Sequence, residues 1–312
     1  MTINDFESMG LVKFDFSLAS VCSMKTGGKA DCAFFPVSKQ QLKSVIMYLR
    51  ETNIRFVILG NGSNVIFSDN GYKGAVVFTG NIKELYEYAD GNISDFSPEI
   101  HSERISIYVS AGYSLTSLAL KFSKLGYTGL EFAYGIPASV GGSVYMNAGA
   151  YGGEMCQIIE SVEYIDDNGN FCTLTIDVPE KYFSYRHSYF MDHPDYIITG
   201  VVLKLEKANG INPIDEAEKN MQARRSKQPL EYPSCGSAFK RPDGYYAGAL
   251  IQDAGLKGKN IGGAYVSEKH AGFIVNKGEA TTSDVVALIE YVRNEVFKTS
   301  GVWLEPEIQV IE

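Results

Sequence analysis

The chain has 312 residues, 45% of them apolar and 21% charged, a balance that suits a globular protein with more than one domain. Its net charge of −9 excludes a sequence-independent nucleic-acid binder, which needs a broad basic face. No apolar run reaches the roughly 18 residues of a membrane span, the first residues lack a basic region followed by an apolar stretch, and five scattered cysteines with no CxxC or Cys/His cluster predict free thiols in a reducing cytoplasm and no metal site.

Strands and helices alternate along the first third. Ser38 can cap a helix over residues 39–51, where Leu42, Val45, Ile46 and Leu49 recur at helical spacing. Residues 54–59 read as a buried strand that runs into Gly60-Asn61-Gly62-Ser63-Asn64, and strand character resumes at 65–67. The polar, acidic stretch 86–104 reads as a surface excursion. Residues 105–111 form a strand, and Ser114 can cap a second helix through Leu115, Leu118, Ala119 and Phe122. The middle is β-rich: 162–165 and 171–176 flank Asp166-Asp167-Asn168-Gly169-Asn170, a hairpin signal, and 196–205 is a longer strand. A Gly/Asn/Pro linker at 208–215 predicts a domain boundary. A polar helix over 216–225 follows, then a strong one with Ser283 as its cap, then a final strand at 307–311. The fold class is α+β.

Glycine is in excess, 31 of 312, and clusters in three segments. In Gly60-Asn61-Gly62-Ser63-Asn64, small residues after a strand let amides converge on an anion, although a plain strand–turn–strand link fits the motif equally well. The segment from Gly129 to Gly153 carries Gly135-Ile136-Pro137 and Ser139-Val140-Gly141-Gly142-Ser143. It suits a backbone lying against a pyrophosphate better than a mere corner, because ordering so many glycines is entropically costly. In Pro233-Ser234-Cys235-Gly236-Ser237-Ala238-Phe239-Lys240-Arg241-Pro242, spacing alone favours a polar turn, and the GxSxG elbow of hydrolases is absent.

Together these segments resemble the bacterial UDP-N-acetylenolpyruvoylglucosamine reductase family. The matching stretches are Lys25-Thr26-Gly27-Gly28-Lys29-Ala30-Asp31, the Gly60 loop, Gly135 through Glu154, Tyr185-Arg186-His187-Ser188, Gly236 through Pro242, Gln252 through Gly258, and Leu304-Glu305-Pro306-Glu307. They follow the family's order and cover nearly the whole chain. The chain is similar to the subgroup that lacks an extra substrate-covering loop. The resemblance implies a vanillyl-alcohol-oxidase-type FAD-binding fold of two subdomains, 1–78 and 79–210, with a C-terminal α+β substrate domain at 211–312. It implies FAD as cofactor, NADPH as hydride donor, UDP-N-acetylglucosamine enolpyruvate as substrate, and UDP-N-acetylmuramate for peptidoglycan as product. A cytoplasmic monomer without membrane or nucleic-acid partners is expected.

The resemblance also assigns residues. Gly60, Asn61, Gly62, Ser63, Asn64, Gly135, Ile136, Pro137, Ser139, Gly141, Gly142, Ser143, Asn147, Gly149 and Ala150 would hold the flavin. Arg186 matches the arginine that binds the enolate, a role suited to a bidentate guanidinium. Ser237 matches the proton donor and Glu307 the C-terminal glutamate, with Glu305 the alternative. Tyr185, Lys227, Lys240 and Arg241 would contact substrate; Lys257 and Asn276 are weaker candidates. Lys240 and Arg241 would ease proton transfer from Ser237. Cys235 is expected to be a better acid than Ser237 but falls off the donor position, and His270 is expected to be structural. The competing reading is an FAD oxidase of the same fold acting on a small alcohol or sugar; no histidine in the Gly60 loop or the 135–153 segment is placed for a covalent flavin.

Overall fold

The computed structural model describes residues 2–97 and 102–312. Contacts group the chain into two compact units built from interleaved segments. The first comprises Met1–Val12, Phe34–Asn61 and Val76–Ala223; the second comprises Lys13–Ala33, Gly62–Ala75 and Arg224–Glu312. The linker expected at 208–215 overlaps the start of the helix Pro213–Lys227, and the contact grouping divides the chain further on inside that helix, between Ala223 and Arg224.

The first unit is organised by an antiparallel sheet. Its spatial order is Phe171–Thr175, Ile159–Ile165, Ile197–Lys207, Arg104–Ser110, Leu85–Ala89, Asn92–Asp95, and Tyr127–Thr128 also pairs with Ile197–Lys207. The long strand is buried from Ile197 to Leu203, which fits a run that is apolar but for Thr199. The 166–170 turn forms as expected: Asp166 accepts the Asn170 amide at 2.6 Å, and Gly169 takes φ +82°. Helix Lys39–Glu51 starts at the expected cap, where Ser38 Oγ accepts from the Gln41 amide at 3.2 Å. It buries Leu42, Val45, Ile46 and Leu49, and Arg50 anchors it by donating to the Asp166 carbonyl at 2.7 Å. Helix Leu115–Lys124 is capped by Ser114 as expected.

The stretch 86–104 is more ordered than a surface excursion. Leu85–Ala89 and Asn92–Asp95 form a hairpin on the sheet, turned by Asp90 and Gly91 at φ +49° and +84°. The Asp-Gly pair was the sequence signal, obscured by the surrounding charge. Residues 98–101 of that stretch lie outside the described residues.

The second unit packs Met24 and Ile66 with Val285, Leu288, Ile289, Val292 and Val296 of helix Thr282–Ser300. An antiparallel sheet runs Ser234–Ser237, Phe273–Asn276, Ala264–Val266, Asn260–Ile261. The helix cap is Thr281, not Ser283. Thr281 Oγ1 accepts the Asp284 amide at 3.0 Å and Asp284 accepts the Thr281 amide at 2.9 Å, a reciprocal capping box. Ser283 instead donates its hydroxyl to Asp69 at 2.6 Å, and Asp69 also accepts the Thr282 and Ser283 amides. The last strand, Gln309–Ile311, runs parallel to Val65–Phe67.

Candidate active site

In the first unit, strand Phe56–Leu59 delivers the Gly60 turn onto the 137–141 segment. A Cβ on Gly60 would sit 2.1 Å from Ser139 Oγ, so no other residue fits there without displacing that hydroxyl. Asn61 donates to the Pro137 carbonyl at 3.3 Å. Ser139 caps the short helix Val140–Tyr145 by accepting the Gly142 amide at 3.2 Å. The Gly141 amide donates to Ala111 O at 2.8 Å, and a Cβ there would press on the Ala111 Cβ at 2.7 Å. Gly135 takes φ +88°.

The polar side chains of this segment turn inward. Ser143 Oγ donates to Val140 O at 2.7 Å. Asn147, fully buried at φ +42°, donates to Ser184 O and Glu154 and accepts from the Cys156 amide. What Ser139, Ser143 and Asn147 offer a ligand is therefore a shaped backbone. The amides of Asn61, Gly62 and Ser63 make no backbone hydrogen bond among the described residues. A closely approached, glycine-lined surface with amides to spare suits the diphosphate of a dinucleotide such as FAD.

Tyr185 and Arg186 form the two-residue turn between strands Phe183–Ser184 and His187–Ser188. Arg186 takes φ +55°, the positive φ that such a two-residue turn calls for. Its guanidinium lies 4.9 Å from the Tyr185 ring centroid and donates to Gly149 O at 3.0 Å. The glycine segment thus aims the arginine.

In the second unit, Gly236 at φ +74° breaks the register between the pairs Ser234–Val275 and Ser237–Phe273. This bulge turns Ser237 out to solvent between the buried Cys235 and Ala238. The next residues pair with the C-terminal segment: Glu307 N donates to Ala238 O at 2.9 Å, and Lys240 N donates to Glu305 O at 2.9 Å. Glu307 is thereby paired with the residue that follows Ser237, while Arg186 belongs to the other unit.

Several substrate-side expectations change in detail. Lys240 Nζ is ion-paired with Glu305 at 2.6 Å. Arg241 stacks on Tyr246 at 4.1 Å and donates to Tyr245 O; the sequence reading missed this aromatic partner, signalled only by the Pro-Asp-Gly turn before it. Burial pushes the Cys235 thiol up to about 12, so it is a poorer acid than expected, and it donates to Val65 O. Asn276 is buried, donates to Met24 O and accepts from the Gly278 and Ala280 amides. His270 Nδ1 accepts the Gly272 amide at 3.1 Å; burial, with Lys257 and Lys227 nearby, holds its pKa below the usual value. Lys227 ends helix Pro213–Lys227.

Among the described residues no cluster of His, Cys, Asp or Glu could hold a metal ion, and no helix is long and apolar enough to cross a membrane.

Two family models match the chain: an FAD binding domain over residues 30–175, and the C-terminal domain of UDP-N-acetylenolpyruvoylglucosamine reductase over residues 228–311. The chain is 44% identical over 289 residues to the UDP-N-acetylenolpyruvoylglucosamine reductase of Caldanaerobacter subterraneus subsp. tengcongensis, covering 93% of this chain and 90% of that one. It is 40% identical to that of Lactiplantibacillus plantarum over 96% of this chain and 93% of the relative. The solved structure of UDP-N-acetylenolpyruvylglucosamine reductase (MurB) from Thermus caldophilus superposes with a TM-score of 0.77 at 33% identity, covering 96% of this chain and 98% of that one. With an FAD-binding domain, a mixed α+β architecture and whole-length similarity of this degree, the chain belongs to the UDP-N-acetylenolpyruvoylglucosamine reductase family.

Proposed function

We propose that three side chains, Arg186, Ser237 and Glu307, carry out the chemistry of this family member, with NADPH as the source of reducing equivalents. The protein is an FAD-dependent oxidoreductase that reduces UDP-N-acetylglucosamine enolpyruvate to UDP-N-acetylmuramate. Bound FAD supplies the hydride that adds to the terminal carbon of the enolpyruvyl double bond. The rest falls to the protein.

Negative charge develops on the substrate's α-carbon and carboxylate. Arg186 binds that carboxylate and holds the enolate; a well-placed donor of this kind contributes on the order of 3 kcal/mol. Ser237 delivers the proton to the α-carbon, and Glu307 assists from the neighbouring strand. The observation that supports this reading is the backbone pairing of 238–240 with 305–307, which ties Glu307 to the residue that follows Ser237. The engagement of Glu305 by Lys240 supports Glu307 as the acting glutamate. The Gly60–Asn64 loop and the 135–150 segment hold the flavin diphosphate mainly through backbone, with Arg186 braced on that segment at Gly149. Tyr185, Lys227 and Arg241 contact the substrate, Arg241 from its stack on Tyr246. The division into subdomains 1–78 and 79–210 with a substrate domain at 211–312, a monomeric state and action in the cytoplasm belong to the same reading; the five free cysteines fit a reducing compartment.

The roles separate in half-reactions. Ser237→Ala is expected to be reduced by NADPH at the wild-type rate but to be reoxidised by the enolpyruvyl substrate about 10²–10⁴-fold more slowly. Equal slowing of both halves would contradict the proton-donor role.

A further inference from the structure

Asn64, expected by resemblance among the flavin-binding residues, also reaches the C-terminal segment with its side chain. Its Nδ2 donates to the main-chain carbonyl of Glu307 at 3.0 Å. Its own carbonyl accepts the Gln309 amide at 3.0 Å. One residue therefore grips the C-terminal segment on both sides of Ile308, which is itself buried. The parallel pairing with Val65–Phe67 begins only at Gln309, so the Asn64 side chain adds the rung that the ladder lacks at Glu307. The other face of Glu307 is fixed by its amide bond to Ala238 O at 2.9 Å.

We infer that Asn64 is a positioning residue for Glu307: its carboxamide, bonded to the Glu307 carbonyl, orients the peptide that carries the catalytic carboxyl beside Ser237. The inference rests on the proposed role of Glu307. With its N–H and its C=O both held, Glu307 keeps one backbone conformation, and its side chain leaves the strand in one direction. Removing the carboxamide takes away that bond to the carbonyl and loosens the hold on the peptide. The carboxyl then loses its aim while Ser237, on its own bulge, keeps its place. A displacement near 1 Å at a reacting group costs on the order of 10²-fold in rate. The Lys240–Glu305 pair at 2.6 Å steadies the far end of the same pairing.

The test uses the full-length holoenzyme and four variants: Asn64→Ala, Asn64→Asp, Glu307→Gln and the double variant Asn64→Ala/Glu307→Gln. Asn64→Asp keeps the shape and loses only the donor, so it serves where Asn64→Ala folds poorly. Three quantities are read: FAD affinity by flavin fluorescence, reoxidation of dithionite-reduced enzyme by UDP-N-acetylglucosamine enolpyruvate, and the pH profile of that reoxidation. Each Asn64 variant is expected to bind FAD within about threefold of wild type and to be reoxidised ~10- to 100-fold more slowly, with an altered pH profile. In the Glu307→Gln background, Asn64→Ala is expected to slow reoxidation less than threefold further, because its target is already gone. Loss of FAD affinity by tenfold or more, or an Asn64 effect undiminished in the Glu307→Gln background, would overturn the inference. Wild-type reoxidation by Glu307→Gln would instead remove the role of Glu307 itself, a failure recognisable before any Asn64 variant is examined.

Discussion

Two glycine-bearing regions, one in each unit, use the residue for opposite reasons. In the first unit, Gly60 and Gly141 are glycine because there is no room: an added Cβ would meet Ser139 Oγ at 2.1 Å or the Ala111 Cβ at 2.7 Å. In the second, Gly236 has nothing within 4 Å of an added Cβ but sits at φ +74°. The first region is a surface made of main chain, with Ser143 and Asn147 turned inward to hold it. The second is a turn that throws a side chain, Ser237, outward. In the proposed reading a cofactor diphosphate lies on the first kind of surface and a proton leaves from the second. Substitutions should therefore separate cofactor retention from chemistry.

The largest separation is expected at Ser237. Ser237→Ala should lose about 10²–10⁴-fold in substrate reduction while keeping its flavin and its melting temperature, because the side chain is exposed; a matching drop in flavin content would blur the contrast between the regions. Gly60→Ala should do the reverse. Displacing the capping Ser139 hydroxyl costs about 1–3 kcal/mol of overpacking, read as reduced flavin absorbance per protein and a lower melting temperature. Full flavin retention there would show that the Gly60 turn is only a connection.

A smaller effect, confined to stability, is expected at Asp69. Burial alone would raise its pKa, but the Ser283 hydroxyl and amide and the Thr282 amide outweigh it and hold the carboxyl below its ordinary value of 3.8. A lowered folded-state pKa makes the stabilisation present above the unfolded value and lost as pH falls through the folded one. Asp69→Ala should thus cost about 1 kcal/mol near neutral pH, the usual worth of a helix cap, and the gap to wild type should close as pH drops below 3.8. A gap that widens in acid would reverse the sign of this account. Smallest of all, Gly236→Ala should cost about 1 kcal/mol of backbone strain with no clash, and activity should fall only as far as Ser237 is moved.

Much of this was legible in the sequence because local chemistry agreed with the fold. The Ser38 and Ser114 caps, the 166–170 hairpin and the long strand ending at Lys207 follow from residue type and spacing. The hairpin at 85–95 was hidden because exposed strands carry charge, which reads as loop. Thr281 was passed over for Ser283 because both are cap formers two residues apart; the local signal was Asp284, three residues after Thr281, while the Ser283 hydroxyl goes to Asp69, more than 200 residues away. For the site, the resemblance located Arg186, Ser237 and Glu307, which spacing alone would have left as an ion pair, a turn and a solvated carboxylate. It could not show that Asn147 is a buried brace, that Lys240 pairs with Glu305, or that Cys235 is a buried hydrogen-bonded thiol, because each depends on a neighbour distant in sequence.

The most direct test of the central claim is the visible spectrum of the purified protein under anaerobic conditions, first with NADPH and then with UDP-N-acetylglucosamine enolpyruvate. An FAD-dependent reductase of this family will show an oxidised flavin, bleach with NADPH and recover its absorbance stoichiometrically with the enolpyruvyl substrate, yielding UDP-N-acetylmuramate. A flavin that stays bleached until oxygen is admitted would contradict the account, and so would a folded protein that takes up no FAD.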